Sequence, residues 1–133
     1  MSGAHDADVV RVLIVDDQFV VRDFVSRVLG QAGYLTATAS DAGVAVKVAE
    51  TFQPLHLLLT DIRMPGKNGI ELARAMHARA PELKVLYLTA HADSVFKEEV
   101  KLKEWEAFLD KPCSVTDLLE AVSLVLFGHI RGR

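Results

Sequence analysis

The stretch LLLTDIRMPGKNG (residues 57–69) decides how this chain is read. Its first four residues form a short apolar run, the pattern of a strand buried on both faces of a parallel sheet. The run ends on a carboxylate, Asp61, and Pro65-Gly66 then turns the chain away. Aiming a charge out of so apolar a strand costs free energy unless something beyond the strand end uses it.

The alternation of strand and helix patterns extends in both directions from this stretch. Upstream, VVRVLIV (9–15) is β-branched and apolar and closes on Asp16-Asp17. A helical period follows, with Val21, Phe24, Val25, Val28 and Leu29 on one face and Gly30 or Gly33 near its end. YLTATA (34–39) reads as a second strand. Ser40 or Asp41 caps a helix whose inner face carries Ala45, Val48, Ala49 and Phe52, and LHLLLT (55–60) is the third strand. Downstream, a helix after Asn68 carries Leu72, Ala75 and Met76, and KVLYLTA (84–90) is a fourth strand. Asp93 caps a charged helix running to about Glu104, and AFLD (107–110) is a short fifth strand. SVTDLLEAVSLVLF (114–127) closes the chain as a fifth helix, with Val115, Leu118, Leu119, Val122 and Leu126 inward and Gly128 as its stop.

Strands alternating with helices in this way predict an α/β fold: a flavodoxin-like, doubly wound (βα)5 three-layer sandwich around a five-stranded parallel sheet. The 133 residues, 50% of them hydrophobic, accommodate one such domain over 9–128, with short tails at 1–8 and 129–133. A net charge of −3 argues against a nucleic-acid surface. The single cysteine, Cys113, excludes an internal disulfide and, with no secretory signal, points to a reducing cytoplasm. No apolar run approaches the roughly 18 residues of a membrane helix. Repeats, linkers and low-complexity segments are absent.

In doubly wound sheets, ligands bind beyond the carboxyl ends of the strands. Those ends carry Asp16 and Asp17 after the first strand, Asp61 after the third, Thr89 after the fourth and Lys111 after the fifth. Clustered carboxylates repel one another and resist desolvation, a conflict that a hard divalent cation removes. Mg²⁺ suits such oxygen ligands and would neutralise an arriving phosphoryl group. Asp61 could then act as a nucleophile forming an aspartyl phosphate, with Lys111 and Thr89 contacting phosphate oxygens.

At this point the residues resemble the receiver domain of bacterial two-component response regulators. The resemblance rests on Asp16-Asp17, DIRMPGKNG (61–69), LTA (88–90) and FLDKP (108–112), in this order and each at a predicted strand end. It implies that Asp61 accepts phosphate from a histidine kinase or histidine phosphotransfer protein. It also implies that Asp16, Asp17, Asp61 and the Arg63 backbone carbonyl hold Mg²⁺, while Thr89 and Lys111 contact the phosphoryl group. Phe108 matches an aromatic switch position, and the bond before Pro112 is expected to be cis. The surface remodelled on phosphorylation would be that of the fourth helix, fifth strand and fifth helix, facing an unknown downstream protein.

Several positions keep two readings. Arg63 and His91 either tune the phosphoryl lifetime or are plain loop residues. Phe19 and Val20, off the inner stripe of the first helix, either dock a kinase or lie half-buried under the first loop. Trp105, where relatives often have Gly-Ala at 104–105, is either a partner anchor or a half-buried packing residue. Cys113 reads as a small buried hydrophobe, His5, His56, His77 and His129 as ordinary residues, and KEEVKLKE (97–104) as a solvated face. An aspartate-nucleophile phosphatase would need a second aspartate where Arg63 stands. A flavodoxin-like cofactor binder would need amide and hydroxyl donors where Asp16-Asp17 stand. A degenerate receiver acting as a phosphorylation-independent interaction module is the alternative within the family. A stand-alone regulator and a receiver within a hybrid kinase or longer regulator both fit this pattern.

Overall fold

The structure is a computed structural model that describes residues 9–90 and 101–128. Its elements run β1 (Arg11–Val15), α1 (Phe19–Gln31), β2 (Leu35–Ala39), α2 (Ala42–Glu50), β3 (Leu57–Thr60), α3 (Gly69–Arg79), β4 (Lys84–Thr89), β5 (Glu106–Asp110) and α4 (Val115–Phe127). The α4 helix is the fifth helix expected from the sequence. The strands form one parallel sheet in the order β2-β1-β3-β4-β5, the doubly wound arrangement the pattern predicts. Strand order reverses beside β1, so the switch point lies between β1 and β3.

Alternation along the strands builds two cores. Leu13, Val15, Leu58, Val85 and Tyr87 face a cluster with Ala45 and Ala49 of α2 and Leu72 and Ala73 of α3. Val12, Ile14, Leu57, Leu59, Leu86 and Leu88 face Val25 and Leu29 of α1 and Leu118 and Val122 of α4. Helices on both faces explain why the central strands read as continuous apolar runs rather than alternating ones.

Local chemistry fixes the helix ends. Asp41 accepts from the Val44 amide 2.9 Å away and caps α2. Asn68 and Glu71 form a reciprocal capping box on α3, as do Ser114 and Asp117 on α4. Gly128 ends α4 at φ 76°, a left-handed conformation that suits glycine.

Three expectations need correction. The charged helix expected from Asp93 falls mostly on 91–100, outside the described residues, and Lys101–Lys103 are not helical. Their backbone is engaged elsewhere: the Lys101 carbonyl accepts from Arg74, and the Lys103 amide donates to Glu106. In α3 the buried stripe is Leu72 and Ala73, with Met76 partly buried, whereas Ala75 is exposed. Val115, in the first turn of α4, is 48% exposed and lies outside the core that Leu118 and Val122 enter.

Candidate functional site

The β1–β3 register sets Val15 beside Thr60, and the Asp61 amide donates to the Val15 carbonyl at 2.9 Å. Asp16 and Asp61 therefore emerge side by side at the switch point. One carboxylate oxygen from each of Asp16, Asp17 and Asp61 lies within 4.8 Å of the others. Asp16 and Asp61 are buried, while Asp17 is exposed.

Lys111 reaches into this cluster from the end of β5. Its Nζ lies 2.7 Å from Asp16 Oδ2 and 3.2 Å from Asp61 Oδ2. The Lys111 amide donates to the Thr89 carbonyl, so the β4–β5 ladder places the side chain. The Lys111–Pro112 bond is cis, as expected, and Gln53–Pro54 is also cis. Thr89 is fully buried at the end of β4, and Phe108 is 39% exposed on β5.

Burial pushes the Asp61 carboxyl above the usual carboxylate range; Asp16 adds to the shift and Lys111 opposes it. Burial acts against the Lys111 ammonium, but the contacts with Asp16 and Asp61 outweigh it and hold its pKa above the ordinary value. Two close carboxylates sharing one cation, with a third beside them, form an all-oxygen donor set suited to a hard divalent ion. Those residues fit a bound metal ion.

Five further residues support the site without standing out in the sequence pattern. Gly69 donates its amide to the Ile62 carbonyl at 2.8 Å, and a Cβ built there would stand 1.9 Å from the Asp61 carbonyl oxygen. A glycine just inside a helix N-terminus lowers helix propensity, which is the one signal that it serves close packing. Arg22 donates from α1 to the Asp16 carbonyl at 2.6 Å, and Thr60 Oγ1 donates to the Asp61 carbonyl at 2.8 Å. Ile62 and Met64, alternating with exposed Arg63, are buried and anchor the loop after Asp61 in the core. The Ile62 amide donates to Asp61 Oδ1 at 2.7 Å.

Other expected positions sort by exposure. Phe19 and Val20 are 67% and 77% exposed, with the Arg22 guanidinium 5.8 Å from the Phe19 ring centroid. His91 lies outside the described residues, as do His5 and His129. Trp105 is half-buried and stacks on His77 with ring centroids 3.6 Å apart. Cys113 packs against the second core cluster, and burial raises its thiol pKa. Among the described residues, no helix is long and apolar enough to cross a membrane.

Comparison with known proteins gives one answer. The family model described as the response regulator receiver domain matches residues 12–123. The response regulator receiver protein CpdR of Brucella abortus (strain 2308) is 33% identical over 118 residues, covering 89% of this chain and 98% of that protein. The transcriptional regulatory protein DegU of Brevibacillus brevis is 32% identical over 130 residues, but this chain spans only 55% of its length. Among solved structures, the chemotaxis protein CheY4 of Vibrio cholerae superposes with a TM-score of 0.80 at 30% identity, covering 89% of this chain and 99% of that one. The receiver domain of the hybrid histidine kinase CckA gives a TM-score of 0.72 at 28% identity, covering 87% and 98%.

Proposed function

The chain belongs to the response regulator receiver family, and from that premise we propose a phosphorylation-activated signalling switch in which Asp61 is the phosphoacceptor. The observation that carries this reading is the meeting of Asp16, Asp17, Asp61 and Lys111 at one switch point.

Asp16, Asp17, Asp61 and the Arg63 carbonyl would hold Mg²⁺, which supplies charge neutralisation for the phosphoryl oxygens when bound. A phosphohistidine on a histidine kinase or histidine phosphotransfer protein is the proposed donor. Its P–N bond breaks as an oxygen of Asp61 forms the new P–O bond. Asp61 is presented rigidly, because the Ile62 amide holds its carboxylate and Thr60 and Gly69 fix its carbonyl. Lys111 offers its ammonium to the charge spread over the transferring oxygens. Phe19 and Val20 form the exposed apolar ledge proposed to dock the donor.

The Thr89 hydroxyl then turns to the phosphoryl group, and Phe108 moves inward from its half-exposed position. That movement changes the face formed by the chain ahead of β5, by β5 and by α4. Arg63 and His91 tune the phosphoryl lifetime in this reading, as the family resemblance implies; alanine at each position should alter the half-life. Residues 9–128 are the working unit, and its chemistry is self-catalysed transfer and self-dephosphorylation rather than turnover of a substrate. Cytoplasmic residence accompanies this proposal.

The decisive measurement is intact mass after incubation with acetyl phosphate and Mg²⁺. A phosphoryl adduct on the wild type, lost in Asp61→Asn and when Mg²⁺ is withheld, is the expected result. An adduct surviving in Asp61→Asn would remove the assignment.

A further inference from the structure

Among the described residues, Glu106 is the only buried carboxylate outside the acidic cluster. Its side chain is fully enclosed and occupied on both oxygens. Arg74 donates from Nη2 to Oε1 at 2.9 Å and from Nε to Oε2 at 3.1 Å. The Tyr87 hydroxyl donates to Oε2, and the Lys103 amide donates to Oε1 at 2.8 Å. Arg74 Nη2 also donates to the Lys101 carbonyl at 3.0 Å. One carboxylate thus joins α3, β4, the first residue of β5 and the non-helical stretch ahead of it.

Stability alone does not account for this arrangement. Replacing a buried ion pair with apolar side chains of similar volume is often neutral or stabilising. What the pair supplies is a fixed geometry between segments distant in sequence. The first turn of α3 has its own tight seat: Gly69, five residues before Arg74, is pressed against the Asp61 carbonyl. Gly69 and Arg74 lie five residues apart on this one continuous helix, which joins the two contacts as one body.

We propose that Arg74 and Glu106 are positioning residues that couple the backbone at Asp61, through α3, to the stretch Lys101–Lys103. The signalling meaning of this coupling rests on Asp61 being the phosphoacceptor; the coupling itself does not require phosphorylation. Energetic coupling is reciprocal, so loosening the clamp at Glu106 is felt at Gly69 as surely as the reverse.

Native-state amide hydrogen exchange on the full, unphosphorylated chain tests this directly. Glu106→Gln removes the charge while keeping shape, and Arg74→Met removes the fork while keeping most of the apolar stem. Both variants should speed exchange at the Lys103 amide by about tenfold or more. They should also change exchange at the Gly69 amide several-fold beyond the change at the Val25 amide of α1, which reports the global stability lost when an enclosed charge is left unpaired. Release of Lys103 with Gly69 unchanged overturns the proposal. Equal acceleration at Val25 also overturns it, because global destabilisation would then explain the effect. In a second arm, acetyl phosphate and Mg²⁺ are added and the adduct is weighed. With equal adduct, the Lys103 amide chemical-shift change seen in the wild type should fall by more than half in Glu106→Gln; an undiminished change counts against the coupling. A wild type that forms no adduct defeats the phosphoacceptor reading, while the exchange result still decides the coupling.

Discussion

Lys111 Nζ stands 2.7 Å from Asp16 and 3.2 Å from Asp61, so one ammonium bridges residues 95 and 50 positions away and ties β5 to the ends of β1 and β3. The closer partner is Asp16, which makes Lys111 the built-in counter-charge of the cluster; under the proposed function it also meets the incoming phosphoryl group. Lys111→Met should lower the rate of adduct formation from acetyl phosphate by about 100-fold, the scale of removing one preorganised donor to developing charge. It should also cost about 3 kcal/mol of stability by leaving buried Asp16 without its cation. Time-resolved intact mass reads the first effect and urea denaturation the second. A variant that phosphorylates at the wild-type rate would remove Lys111 from the chemistry.

Asp61 is held against its own ionisation, and this has a pH signature. Burial and neighbouring Asp16 raise its folded pKa above the unfolded value despite the opposing pull of Lys111. A raised carboxylate pKa means that the ionised form destabilises the fold. That penalty is absent below the unfolded pKa, grows as pH rises from there, and levels off above the folded pKa. Asp61→Asn removes it. In metal-free buffer at pH 7 the variant should melt higher than wild type, by about 4 °C for each 1 kcal/mol of penalty relieved in a chain of this size. The gap should close as the pH falls toward 4. Paired thermal melts across that range check the sign, and a lower melting temperature for Asp61→Asn at pH 7 would contradict it.

The sheet was legible in the sequence because strands covered on both faces are apolar at nearly every position, as Leu57, Leu58 and Leu59 are. The site was legible because Asp16, Asp17, Asp61 and Lys111 are charges standing where apolar runs stop. Neighbouring candidates of equal size were harder: Ala73 and Ala75 are both small, and only the way α3 lies on the sheet buries the first and exposes the second. The Glu106 clamp was invisible for a different reason. Its main partner, Arg74, lies 32 residues away on another element, and nothing local marks Glu106, two residues after the charged run at 97–104, as buried. Lys101–Lys103 fit a helical pattern in sequence yet lie outside a helix for the same reason, since their hydrogen-bond partners come from that distant clamp.

Gly69 gives a prediction that depends on backbone contact rather than charge. A methyl group there meets the Asp61 carbonyl oxygen at 1.9 Å and its carbon at 2.9 Å, both main-chain atoms that no rotamer change can move aside. Gly69→Ala must shift either α3 or the loop after Asp61. Overpacking of this kind costs about 1–3 kcal/mol, and the upper part of that range is expected. Because the displaced peptide carries Asp61, the proposed phosphoacceptor, adduct formation should slow even where the variant is fully folded. Urea denaturation together with the acetyl phosphate time course tests both effects. A Gly69→Ala protein as stable and as fast as wild type would show that α3 does not seat on Asp61 as described.

Asp17 separates metal binding from folding. Asp16 is buried and engaged by Lys111 and the Gln18 amide, so changing it disturbs structure and site together. Asp17 is exposed, yet one of its carboxylate oxygens lies within 4.8 Å of those of Asp16 and Asp61. A surface carboxylate beside two others contributes little to the fold, so Asp17→Asn should change stability in EDTA by less than about 0.5 kcal/mol. If Mg²⁺ binds the native cluster, the wild type should gain about 1.4 kcal/mol at a concentration ten times its dissociation constant, and its melting temperature should climb with added Mg²⁺. The same titration on Asp17→Asn should be nearly flat, because a ligand is missing while the fold is intact. Equal Mg²⁺-dependent stabilisation in the two proteins would place the ion elsewhere. A large loss of stability in EDTA would mean that Asp17 has a structural duty its exposure does not suggest.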